Sequence, residues 1–126
     1  MSDFIIITNN PLVKEKYEQE YPVEFQEDSF EETLKRARDR IYAGHRLLTH
    51  PLSGSVKPKE TPYKSVLVSR KPGKLDMESV ELIEQALGAC GKFSFHPEKF
   101  GPEVFADFQL IDCTLLESAL PSATVW

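Results

Sequence analysis

The chain has 126 residues, a formal net charge of −5 and a pI near 5.2, which argues against the basic face of a nucleic-acid binder. Hydrophobic residues make up 40% and charged residues 28%, an ordinary globular balance that predicts one domain over residues 1–126 with a single hydrophobic core. No run approaches the ~20 apolar residues of a membrane span, and "MSDFIIITNN" lacks the basic start of a signal peptide.

In chain order, Phe4 to Thr8, "FIIIT", is a continuous apolar run, as in a strand buried on both faces. It stops at "NNP". Asn10 predicts a helix N-cap and Pro11 the first helical position, and Tyr21-Pro22 closes that helix. Val23 to Glu27, "VEFQE", alternates and predicts an edge strand. Ser29, with Glu32 three residues on, forms a capping box. Phe30, Leu34, Ala37 and Ile41 then follow at spacings of four, three and four, one apolar stripe, and Gly44 ends the helix.

"HRLLTH", residues 45–50, predicts a third strand, and "KSVLVSR", Lys64 to Arg70, a fourth. "KPGK" is a turn. Asp76 caps a third helix with Val80, Ile83, Leu87 and Cys90 on its core side and Gly91 just past it. "SFHPEKFG" is a loop. Pro102 opens a fourth helix, with Phe105, Phe108, Ile111, Leu115 and Ala119 facing the core. "PSATVW" is a tail whose Trp126 docks on the body, because an exposed terminal Trp would waste a large apolar surface.

Strands alternating with helices predict an α/β fold: one three-layer domain, a four-stranded mostly parallel sheet in the order 2-1-3-4, and four helices. The direction of the fourth strand stays open, because no helix separates it from the third. In such a sheet ligands bind beyond the carboxyl ends of the strands where the order reverses. That point falls between 4–8 and 45–50, so the exits of those two strands should meet at one crevice.

The exits are polar. They supply Thr8, Asn9, Asn10, Thr49, His50, Ser53, Gly54, Ser55 and Lys57, with Lys64 further on. The long irregular stretch 45–65 belongs to this crevice; structureless loops beyond ~12–15 residues are uncommon in compact domains and are functional or disordered. Unpaired amides at the first helix's start, the hydroxyls of "SGS" and the lysines suit a small anion, and His50 can change protonation near neutral pH. No phosphate-loop or dinucleotide glycine pattern occurs, and no cofactor is expected. The plainer reading keeps Asn9 and Asn10 as a strand exit and a cap, His50 as a turn residue, and the lysines as solvated. His45 and His50, five apart, would point to opposite faces of a strand and share no metal; His96 is a loop residue. Cys90 and Cys113 predict two reduced core thiols. Asp112 lies on the apolar side of its helix, where a buried carboxylate needs a partner.

Two segments carry a resemblance. "IITNNPLVKEKY" and "GHRLLTHPLSGSVKPKETPYKSVLVS", with "KLDMESVELIEQAL" after them, resemble the GrdX family from residue 5 to about 87; nothing after Phe93 adds to it. Members are small proteins encoded beside the components of the glycine reductase system of amino-acid-fermenting anaerobic bacteria. The resemblance implies a cytoplasmic setting and a link to a selenium- and thiol-dependent reductase. It implies no activity and carries over no catalytic residue. The reading from sequence is an accessory protein that binds a reductase component or aids its assembly. The alternatives are a domain binding a small anion, such as an acyl phosphate or amino acid, and an enzyme using His50 as acid or base.

Overall fold

The computed structural model describes residues 3–52, 61–90 and 100–124, the last four by backbone alone. Its elements are β1 (Phe4–Thr8), α1 (Pro11–Tyr17), β2 (Val23–Phe25), α2 (Phe30–Tyr42), β3 (Ser65–Ser69), α3 (Met77–Cys90) and α4 (Pro102–Thr124). The fold is α/β, with a three-stranded mixed sheet in the order β2-β1-β3. β1 pairs in parallel with β2, Ile6 opposite Val23, and antiparallel with β3, Ile6 opposite Leu67.

The alternation of side chains along the strands builds two cores. Ile7, Val66 and Val68 pack with Leu34, Ala37 and Ile41 of α2 and Val80, Ile83 and Cys90 of α3. Phe4, Ile6 and Leu67 turn to the other face and pack with Val13 and Tyr17 of α1 and Cys113, Leu116 and Leu120 of α4. Helices therefore cover both faces of the sheet, a three-layer arrangement.

Local chemistry sets the ends as the sequence predicts. Asn10 caps α1, its side chain accepting from Leu12 N–H at 3.0 Å, with Pro11 at the first helical position. Ser29 Oγ accepts from Glu32 N–H at 3.0 Å, but the Glu32 carboxylate turns to Lys35, 3.3 Å away, so only the serine half of the box forms. Gly44 leaves α2 with φ 108°, and a Cβ there would lie 2.3 Å from the Gly73 carbonyl oxygen. The turn needs glycine for both reasons.

The sheet corrects the expected four mostly parallel strands. Residues 45–50 form no strand; Leu47 makes one isolated antiparallel bridge to Val68. Leu48 N–H donates to Leu67 O at 2.8 Å, and Ser69 N–H to Arg46 O at 2.7 Å. Hydroxyls then take the places where the ladder would continue. Leu67 N–H donates to Thr49 Oγ1 and Arg46 N–H to Ser69 Oγ. Side chains that satisfy backbone groups locally compete with the ladder, and here they end it. β3 thus sits beside β1, between it and the 46–49 edge, and the expected crevice between adjacent strands 4–8 and 45–50 is overturned.

The fourth helix also departs from expectation. Its buried side is Asp112, Cys113, Leu116 and Leu120. Ile111 is exposed, while Phe105, Phe108, Leu115 and Ala119 are half-buried. The helix also runs on to Thr124, where a tail was expected. The stripe is shifted because a carboxylate stands in its middle. Trp126, His96 and Gly91 lie outside the described residues.

Candidate functional site

The exit of β1 is polar and buried. Asn10 N–H donates to Thr8 Oγ1 at 2.9 Å. Thr8 Oγ1 lies 2.6 Å from Ser65 Oγ, and Ser65 Oγ donates to Asp112 Oδ2 at 2.7 Å. The serine's single hydroxyl hydrogen goes to the carboxylate, so the threonine must donate to the serine. The directed run Asn10–Thr8–Ser65–Asp112 follows. Asp112 also accepts from Ser65 N–H at 3.0 Å and from Asn10 Nδ2 at 3.0 Å. The other Asn10 amide hydrogen goes to Gln109 O at 2.9 Å. Burial of these groups is tolerable because each has a partner.

Asn9 latches the chain that precedes β3. Its Oδ1 accepts from Lys64 N–H at 2.8 Å, and its Nδ2 donates to Pro62 O and to Asp28 O, each at 2.8 Å. Arg36 fixes the other side: it grips the Asp28 carboxylate at 2.8 and 3.1 Å and donates to Thr8 O at 3.0 Å. A bidentate fork of this kind positions as well as attracts.

Beside this cluster lies a groove of about 280 Å³, lined by Thr49, His50, Lys64, Ser65 and Asp112 and, further along, by Leu48, Leu115, Leu116, Ser118 and Ala119. A smaller hollow, of about 20 Å³, opens between Phe30, Leu52, Thr61 and Tyr63, and shares Lys64, Asp112 and Leu115 with the groove. Gln109 Nε2 holds Tyr63 Oη at 3.0 Å. Lys64 is only 5% exposed. Burial pulls its ammonium pKa below the ordinary lysine value, and the nearby Asp112 charge opposes that shift. His50 Nδ1 accepts from Leu52 N–H at 3.1 Å, which leaves Nε2 as the nitrogen able to carry the ring proton.

The structure brings Thr8, Asn9, Asn10 and Lys64 into one buried cluster. It sets Thr49, His50 and Lys64 along one groove, which the two asparagines do not line. Ser53, Gly54, Ser55 and Lys57 lie outside the described residues. Sequence reasoning missed Ser65, Gln109 and Tyr63 as parts of this site. Asp112 carried the one available signal, a carboxylate on an apolar face. Ser65 gave none, since its partner lies 47 residues away. Among the described residues no group of three His, Cys, Asp or Glu could hold a metal ion, and no helix is long and apolar enough to cross a membrane.

A family model described as "GrdX-like protein" matches residues 5–121. The chain belongs to the GrdX-like family. The match reaches past the segments that carry the resemblance and takes in α4 as far as residue 121, Asp112 included. No curated protein and no solved structure gave a significant match.

Proposed function

We propose that this GrdX-like chain is a cytoplasmic accessory protein of the glycine reductase system that holds a small anion in the groove between β3, the 46–50 edge and α4. One observation carries the reading: an almost fully buried lysine lines a groove with His50 and Thr49. Burial disfavours the Lys64 ammonium, and the Asp112 charge opposes that effect. Lys64, His50 and the Thr49 hydroxyl along one groove offer a cation and hydrogen-bond donors to a bound carboxylate or phosphate. The Ser65 hydroxyl donates to Asp112 and not to His50, so these two do not form a Ser–His pair.

Calorimetry of the full chain with inorganic phosphate, acetyl phosphate, acetate and glycine tests the proposal. Binding should weaken at least tenfold in Lys64→Met, which keeps the apolar stem. No heat from any of these anions would sink it.

A second reading has its own observation. Leu110 and Ile111 on α4 are 59% and 47% exposed, which suits docking on a reductase component. Retention of such a component on immobilised wild-type chain, and its loss with Leu110→Ser/Ile111→Ser, would favour this reading.

A further inference from the structure

We infer that copies of this chain associate head to tail, the acidic, apolar face of α4 in one copy docking on the basic, apolar surface that joins α2 to α3 in the next. The inference does not depend on the groove, and it matches the α4 side chains of the docking reading to a surface of the chain's own. Among the described residues, the exposed large apolar side chains fall into two groups. Tyr42, Leu75 and Met77 form one, and Phe100, Leu110 and Ile111 the other. The first group comes together because the backbone after α2 touches the backbone before α3: Gly73 N–H donates to Gly44 O at 2.9 Å. The second lies along the first half of α4, with Phe100 edge-on to Phe108, ring centroids 5.6 Å apart.

The two surfaces carry opposite charge. The turn 70–75, "RKPGKL", is exposed throughout and supplies Arg70, Lys71 and Lys74 with no carboxylate. Arg46 adds a fourth cation, its backbone bonded to Ser69 on both sides. Asp76, Glu78 and Glu84 stand at the same end, but Asp76 turns to Ser79 and Glu84 accepts the Tyr42 hydroxyl, so the rim stays basic. α4 is the reverse: residues 102–124 hold Glu103, Asp107, Asp112 and Glu117 and no Lys or Arg. Asp112 is engaged by Ser65, and Glu117 by Lys16 and Tyr17. That leaves Glu103 and Asp107 exposed beside Leu110, at i, i+4 and i+7 on one face. Exposed apolar clusters with a polar rim mark interaction sites, and opposite charge fixes which surface meets which. One chain cannot join its own pair, because α2 and α3 cover one face of the sheet and α4 the other. The contact is therefore heterologous: it leaves α4 open on one copy and the basic surface open on the other, and further copies can add.

Sedimentation of the full chain over a range of concentrations tests this. The weight-average mass should rise with concentration above the 14.4 kDa of one chain and continue past two chains. Lys71→Glu/Lys74→Glu and Leu110→Ser/Ile111→Ser should each weaken self-association at least tenfold, because each spoils one of the two surfaces that every contact needs. A mixture of the two variants should pair one to one and stop there, since each lends its intact surface and neither can grow. A wild-type mass that stays at that of one chain up to the solubility limit would overturn the inference. So would a mixture that stays monomeric, or assembly in either variant as strong as in wild type. Capture of a reductase component through Leu110 and Ile111 by a chain that stays monomeric would give α4 to that component alone: the docking reading would stand and this inference would fall.

Discussion

Asp112 of α4 accepts both the backbone N–H and the hydroxyl of Ser65, the first residue of β3, at 3.0 and 2.7 Å. One carboxylate thereby joins the last helix to the start of the central antiparallel pair and fixes the residue next to Lys64. Asp112→Ala leaves the Ser65 N–H without its acceptor in a buried site and deprives Asn10 Nδ2 of one of two. Each buried donor left unsatisfied costs about 1–3 kcal/mol, so the variant should lose on the order of 2–4 kcal/mol. Urea denaturation reads this directly; an unchanged midpoint would mean that the bond does not hold α4 to the sheet.

The parts of the fold legible in the sequence are those set within a few residues. Asn10-Pro11, Ser29 and Gly44 end helices through their own side chains or lack of one, and Phe30, Leu34, Ala37 and Ile41 repeat with the helix. The direction of β3 is not local. No helix separates it from residues 45–50, so no crossover fixes its sense. The edge at 46–49 reads as a strand from its leucines, yet the hydroxyls of Thr49 and Ser69 take two of its ladder bonds. α4 misleads because Leu110 and Ile111 face solvent while Asp112 faces the sheet. The site follows the same division. Thr8, Asn9 and Asn10 are visible as a polar strand exit, whereas Ser65 and Gln109 become part of it only through contacts tens of residues away.

The core of the α2 stripe makes a simple test. Leu34 is wholly buried among Ile7, Val66 and Ile83. Leu34→Ala should cost about 2–5 kcal/mol, the range for a buried leucine whose cavity does not fully collapse. Leu110→Ala, on an exposed position, should stay within about 0.5 kcal/mol of wild type. Equal midpoints for the two variants would contradict this assignment of core and surface.

Cys90 and Cys113 are buried thiols in no disulfide, on opposite faces of the sheet. Burial, with the Glu117 charge adding to it, pushes the Cys113 thiol above its ordinary pKa. A thiol reagent should therefore find two groups in denatured protein prepared without reductant and react only slowly with the native chain. A mass two hydrogens lower and no reactive thiol would show a disulfide that this geometry does not provide.

Glu117 ties α4 to α1 by accepting from Lys16 Nζ and Tyr17 Oη. The Lys16 bond first and the Tyr17 bond second hold its carboxyl below the ordinary range. A folded-state pKa below the unfolded value gives stability that is present above the unfolded pKa, about 4.3 for Glu. That stability is lost as pH falls through the folded value. Tyr17 shifts the other way: burial first, and then the Glu117 bond, push its phenol up. Its contribution is therefore present at neutral pH and lost as pH rises beyond about 10, the ordinary tyrosine value. The stability gap between wild type and Glu117→Gln should be open at pH 7 and should narrow below about pH 4 as the wild-type carboxyl takes up its proton. In an absorbance titration of the four tyrosines, Tyr17 should ionise late in wild type and earlier in Glu117→Gln. It should still lie above the ordinary value in that variant, because burial is the larger cause and remains. A gap independent of pH across the acid range would mean that the carboxyl is not held by these donors, and the link between α1 and α4 would then rest on the packing of Val13, Cys113 and Leu116 and on the Asn10 bonds to Gln109 and Asp112.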